Sequence, residues 1–379
     1  MKPIIVILFF LSLMACNSAQ KETTTTDSKK IKIDLTDTSA VDIKKITDTM
    51  YTVSLHGGRG FDLSPLVNFF FDDNRIIIAD RMKGIVYLFN QKGLLLNTIH
   101  PSKQTNALNK IIFKNVTDVF YDDNEKLIEI LDRTANAVFR FKPDGKVYDT
   151  LSFADRKALG FQFVKSKDRY VNKLLSGNAD RRDVGVYYKQ GQLINYDVQE
   201  LSVIRYMKYQ NILLPHPFDV YKDSIYYIPM LGDKIYNLST KDTRPEYKLD
   251  YPDINKLPTE IKVKDPTGDI YAFYRTMNHS DVPYNNSSLF INDNWVSFKF
   301  NFHSKTSPRN VFYSKKNKKV LQFSRFKNNI DDINPYAPII GKYKNYFVLA
   351  NQLSGKPSDN AKKITEKRFD LIFFKLKNT

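Results

Sequence analysis

Two stretches of this chain repeat one pattern. Residues 70–97 read FFDDNRIIIADRMKGIVYLFNQKGLLLN, and residues 120–149 read FYDDNEKLIEILDRTANAVFRFKPDGKVYD. Each carries an aromatic residue, Asp-Asp-Asn, an apolar run, Asp-Arg, a second apolar run ending in Phe, and a Gly. Asp72 to Asp122 is 50 residues, and Asp80 to Asp132, Phe89 to Phe141 and Gly93 to Gly145 are each 52. A period near 50 belongs to repeat architectures, in which each unit is one supersecondary element.

Within a unit the pattern spells four strands. Residues 67–71 are mostly apolar and stop at Asp-Asp-Asn-Arg; residues 76–79 form a β-branched run short enough for a buried strand. Residues 85–90 resume after DRMKG, and NQKG closes a hairpin with Gly93 free to take positive φ. The pattern recurs, worn down, in residues 218–240, 289–302 and 339–352, and residues 161–198 hold a third copy. Six units therefore occupy about 330 residues, and no stretch shows sustained helical periodicity. Aromatics at 13%, with 27 Phe and 23 Tyr, suit pleated, half-buried surfaces. A four-stranded sheet too small to bury itself must stack on neighbours, and closing the ring removes most free edges. The expectation is an all-β, six-bladed β-propeller of four-stranded antiparallel blades over residues 31–379. A strand around residues 49–55 would complete the last blade beside residues 368–377.

The first thirty residues give an address. Lys2 precedes an apolar run, residues 4–13, too short to span a bilayer and placed as in a signal peptide. Leu13-Met14-Ala15-Cys16 resembles a bacterial lipobox, which implies removal of residues 1–15 and acylation of Cys16. Cys16 is the only cysteine, so the exported chain forms no internal disulfide. Residues 16–30 are polar and are expected to act as a disordered tether reaching about 50 Å when extended. Asn17, rather than Asp, after the cysteine favours the outer membrane, facing either the periplasm or the exterior.

IIIADRMKGIVYLFNQKG, residues 76–93, is similar to NHL repeats. With the lipobox and residues 235–258, IYNLSTKDTRPEYKLDYPDINKLP, the chain resembles the six-bladed β-propeller lipoproteins of the Bacteroidota, an NHL/TolB-like group. The resemblance implies fold and location but no catalytic residues.

The net charge of +17 contains no block of five basic residues and no nucleic-acid module signature, so nucleic acid is not the expected partner. The expected partners are the bilayer, through Cys16, and an envelope protein or glycan; the chain is expected to be monomeric. Candidate ligand-face residues are Asp80, Arg81, Asp132 and Arg133, in loops between second and third strands. Each Asp in these loops can equally fix its own turn. Arg59 in HGGRGF could meet an anion, and His216 stands rigidly between two prolines. The five histidines are scattered without metal-ligand spacing, and no nucleophile elbow is present. No cofactor is implied, although an axial calcium held by loop carboxylates is compatible with the composition. Two functions follow: a lipid-anchored binding or interaction module, or a metal-dependent hydrolase or lyase acting on a carbohydrate or lactone in the channel.

Overall fold

The computed structural model describes residues 28–58, 61–64, 66–100, 113–152, 162–173, 184–188, 193–196, 202–204, 216–239, 244–252, 254, 260–262, 270–303, 308–327, 333–353 and 368–377. They form the expected ring of six antiparallel sheets. Blade 1 comprises Val67–Phe71, Arg75–Asp80, Ile85–Asn90 and Leu95–Ile99. Blade 2 comprises Asp118–Asp122, Leu127–Asp132, Ala137–Phe141 and Val147–Ser152. Blade 3 holds Gln162–Ser166, Arg169–Lys173, Val184–Tyr188 and Leu193–Tyr196; blade 4 holds Phe218–Tyr221, Ser224–Tyr227, Lys234–Asn237 and Arg244–Asp250. Tyr284–Ile291, Trp295–Asn301, Arg309–Ser314 and Val320–Phe323 make blade 5. Blade 6 takes Ile339–Tyr343, Tyr346–Leu353 and Arg368–Leu376 from the C-terminal end and Thr47–Leu55 from the N-terminal end. Phe369 pairs with Leu55 and Lys375 with Thr49, so both ends of the chain close the ring.

The alternation of side chains along a strand explains why the second strands are apolar throughout. In Arg75–Asp80, Ile76 and Ile78 pack toward blade 6, whereas Ile77 and Ala79 pack toward blade 2. Each blade is thus buried on both faces, and a separate apolar cluster fills each of the six junctions. Small polar turns separate the strands. The Oδ1 atoms of Asp72, Asp122 and Asn292 each accept the backbone N–H two residues on, which accounts for the recurring Asp-Asp-Asn and Asn-Asp-Asn.

Two features depart from the sequence reading. Lys29–Lys32 adds a fifth, parallel strand to blade 4, so the ordered body begins before residue 31. Ile31, Ile33 and Leu35 then enter the junction between blades 4 and 5. A helix over Ile270–Asn278 precedes blade 5 and buries Ala272, Phe273 and Met277 against Met230, Leu231 and Tyr284. Its apolar residues do follow a helical spacing, but the run is only nine residues long.

Candidate functional site: the axial channel

The first strands of all six blades surround a cavity of about 640 Å³ on the ring axis. Its wall runs the length of those strands, from Asn68, Asp118, Gln162 and His216 at their starts to Asp123, Lys222, Asp293 and Lys344 in the hairpin turns. We call these ends the loop face and the turn face. Between them the wall offers aromatic surface, including Phe70, Phe120, Tyr221 and Tyr343.

Side chains stitch the blades together around the turn face. Tyr121 donates to Asp72 at 2.6 Å, joining blades 2 and 1. Lys165 of blade 3 reaches Asp122 of blade 2 at 2.5 Å, and Lys167 reaches Asp223 of blade 4 at 3.1 Å. Tyr221 and Lys222 hold Asp293 of blade 5 at 2.7 and 2.9 Å. Lys342 of blade 6 donates to the Ile291 carbonyl of blade 5, and Lys344 and Tyr343 hold Asp73 of blade 1. The exposed pairs each contribute little to stability. Their effect is to fix the rim.

Two of these lysines are buried deeply enough to matter energetically. The Lys165 ammonium is 1% exposed and also lies 3.1 Å from both Glu125 and Glu129. Burial acts to lower its pKa, but Glu129 and Asp122 more than offset this, so it stays charged. Glu129 is completely buried, which pushes its carboxyl up to about 7 against the pull of Lys165, with Asp122 adding to the rise. Lys342 pairs with Asp219 at 2.6 Å and donates to the Val220 carbonyl at 2.9 Å. Burial holds Asp219 above the usual carboxylate range, with Lys342 opposing.

Asp122, Glu125 and Glu129 are the one group of carboxylates among the described residues that converges closely enough to hold a cation. All three belong to blade 2 or its hairpin, whereas an axial metal draws ligands from several blades. The Lys165 ammonium already lies against each of them. The cluster therefore does not fit an axial metal.

The candidate residues fall into three groups. Cys16 and Arg59 lie outside the described residues. Asp80 accepts from the Ser64 N–H and hydroxyl and the Lys83 N–H, and Asp132 accepts from Lys114, Asn115, Thr134 and Ala135 backbone N–H groups. These bonds hold Asp132 below the usual range although burial acts to raise it. Both carboxylates tie a loop to the strand that precedes it, and neither lines the cavity. Burial lowers the Arg133 pKa, and its backbone N–H donates to the Thr117 hydroxyl. Arg133 is likewise absent from the cavity wall.

Arg81 stands beside Asp118, at the start of a cavity-lining strand, and His216 lies in the cavity wall itself. Arg81 Nε donates to the Thr117 carbonyl at 2.8 Å, and its guanidinium stands 3.8 Å from Asp118. His216 lines the cavity in a left-handed backbone conformation, with φ at 47°, and its ring packs on Phe290. Its Nε2 is buried without a hydrogen-bond partner among the described residues. Burial, with the charges of Arg81 and Lys299, lowers its pKa to about 4. Lys299 was not a sequence candidate. It is a half-buried lysine that makes no hydrogen bond or ion pair with any described residue, and burial alone lowers its pKa to about 8. The signal for Lys165, Lys299 and Lys342 was a lysine inside an otherwise apolar or aromatic strand.

The sequence matches, over residues 19–350, the profile of a family (DUF5128) described as a 6-bladed β-propeller. No curated protein matches it. A protein from Bacteroides fragilis named for its inferred export has a similar solved structure, with a TM-score of 0.66 at 13% identity, covering 93% of this chain and 100% of that one. A member of the DUF4221 family from Bacteroides vulgatus gives a TM-score of 0.52 at 10% identity, covering 91% of this chain and 100% of that one. These likenesses bear on the fold alone. Among the described residues, no helix is long and apolar enough to cross a membrane.

Proposed function

Because the chain belongs to this family of 6-bladed β-propellers, we propose that it is a lipid-anchored envelope protein that binds a small polar ligand, a glycan fragment, in its axial channel. The observation that carries this reading is the channel wall. All six first strands contribute to one cavity of about 640 Å³, within the usual range for small-molecule sites. Aromatic faces suit the apolar side of a sugar ring, and the fixed lysines and carboxylates suit its hydroxyls. The carboxylate cluster neutralised by Lys165 favours binding over metal-dependent hydrolysis.

Val164 lines the channel and is a natural place to fill it. On an array of bacterial and host glycans, wild-type protein should retain at least one glycan that Val164→Trp binds about tenfold less well or not at all. Equal binding by both proteins would place recognition elsewhere. The blocked variant should keep its folded circular-dichroism spectrum.

Anchorage rests on the lipobox at Cys16 and the short apolar run before it. In cells fed radiolabelled palmitate, wild type should carry label and sediment with outer membranes. Cys16→Ala should carry none, and label on that variant would refute the assignment.

A further inference from the structure

We propose that the turn face over blades 4, 5 and 6 docks on the anionic phosphate headgroups of the membrane that carries the lipid anchor. The inference rests on the anchorage proposed at Cys16, which the palmitate experiment tests separately. The first observation is where the chain enters the fold. Lys29 pairs with Tyr247 and Lys32 with Asp250, parallel to the outer strand of blade 4. That strand, Arg244–Asp250, runs away from the turn face, so the chain reaches blade 4 from the turn-face side. Lys29 stands 13 positions after Cys16, a reach of at most about 45 Å. The anchor thus holds this side of the ring nearest the bilayer.

The second observation is the charge gathered at the same place. The outer hairpin of blade 5 reads SKKNKK over residues 314–319, and it lies on the turn face because the Lys315 N–H donates to the Asn294 carbonyl at 2.8 Å. Lys29 sets its ammonium over the Tyr247 ring, and Tyr247 meets Tyr313 of blade 5 edge-on at 6.1 Å. Chain entry and hairpin are therefore neighbours. On blade 6, Lys344 occupies the first turn, and the Lys377 ammonium donates to the Lys45 carbonyl at 2.9 Å. Lys45, Lys316, Lys318, Lys319 and Lys377 are exposed, and none has a carboxylate within ion-pair distance among the described residues. The acids at this end are already engaged: Glu246 by Lys29, Asp293 by Lys222, Asp73 by Lys344 and Asp48 by Lys375. The first turn of blade 2 carries Asp122, Asp123 and Glu125 instead. The face is polarised, and its basic side is the side where the chain enters. A hairpin that is merely solvated has no need of lysines from the next blade beside it. Phosphate headgroups attract such a cluster through its summed field, over about 8 Å at physiological salt. Docked in this way, the protein turns the loop-face end of its channel away from the bilayer.

The test is co-sedimentation of the full chain carrying Cys16→Ala, which removes acylation, with vesicles of phosphatidylcholine alone or with about 30% phosphatidylglycerol. Any binding by the apolar run at residues 4–13 is common to both vesicles, so the difference between them reads charge. Phosphatidylglycerol should raise the bound fraction, and about 0.5 M sodium chloride should abolish the increase. Lys316→Glu combined with Lys319→Glu should weaken binding to the anionic vesicles about 10–100-fold. Lys318 is left in place because its backbone is left-handed, with φ at 56°. The control is Lys142→Glu combined with Lys146→Glu, the same charge change in the corresponding hairpin of blade 2. It should weaken binding by less than about threefold. All four side chains are exposed, so both variants should melt within about 2 °C of wild type. Equal losses in the two variants would overturn the docking surface, since net charge and not the placement of the lysines would then govern binding. No preference for phosphatidylglycerol would overturn it too, and with palmitate label at Cys16 that result would leave the anchor standing. Retention on heparin without vesicle binding would replace the lipid by a polyanionic polymer and overturn the proposal.

Discussion

Replacing Lys165 by methionine is expected to destabilise the protein by about 3–5 kcal/mol at neutral pH, the usual cost of breaking a buried ion pair from one side. Methionine keeps the apolar stem and deletes only the charge, stranding the buried Asp122 and Glu129, while Glu125 keeps its pair with Arg140. The loss should shrink as pH falls through about 7, where Glu129 takes up a proton. Glu129→Gln supplies the matching pH test. Its carboxyl titrates in the folded protein at about 7, above its ordinary value of 4.5. The folded state therefore binds more protons than the unfolded state between those values. That contribution is fully present below the ordinary value and is lost as pH rises through about 7. The stability of Glu129→Gln relative to wild type should thus climb across this interval and then level off. Urea denaturation of the three proteins from pH 4.5 to 8 measures both effects. A loss below about 1 kcal/mol for Lys165→Met, or a flat difference curve for Glu129→Gln, would mean that the cluster is open to water.

A comparable loss of about 3–5 kcal/mol is expected for Phe373→Ala, from removal of a large side chain in a packed core. Phe373 is fully buried in the blade built from both chain ends. It stacks on Tyr51 at 4.7 Å and meets Phe71 of blade 1 edge-on at 5.4 Å, so one ring joins the N-terminal strand, the C-terminal strand and the next blade. Gly93 of blade 1 meets the same closure: its φ is 78°, and a Cβ there would stand 2.0 Å from the Ser54 carbonyl. Tyr148, on the outer strand of blade 2 and 54% exposed, is the internal control. Its replacement by alanine should cost about 0.5 kcal/mol or less. Equal small effects at residues 373 and 148 would mean that the ring does not depend on its closing blade.

The ring was legible in the sequence because its physics is repetitive. Asp72 and Asp122 each open a turn in the same way, and Asp80 and Asp132 each fasten one, so two good copies define the period. Closure could be anticipated from leftover strands at the two ends. The helix at Ile270–Asn278 was not legible, since nine residues of mixed polarity carry a weak periodic signal. The parallel strand Lys29–Lys32 was hidden by its lysines, which read as tether, although Ile31 between them is fully buried.

The channel was legible only in fragments. Arg81 and His216 stood out by type and setting, but what each one touches depends on blades closing on one axis. Lys165 and Lys342 looked like ordinary strand or turn residues, because sequence does not say which side of a first strand faces the axis. Lys299 is visible only once Phe298 and Phe300 are seen to occupy the adjacent junction. Binding sites assembled across blades lack local spacing, and that is why motif searches pass over them.

The most direct test of the channel reading is a crystal structure of the protein grown with a saturating concentration of a glycan that the array selects. Difference density is expected on the ring axis, with the sugar ring against the aromatic wall formed by Phe70, Phe120, Tyr221 and Tyr343. A channel filled only by solvent, with the glycan on the outer surface of a blade, would contradict it.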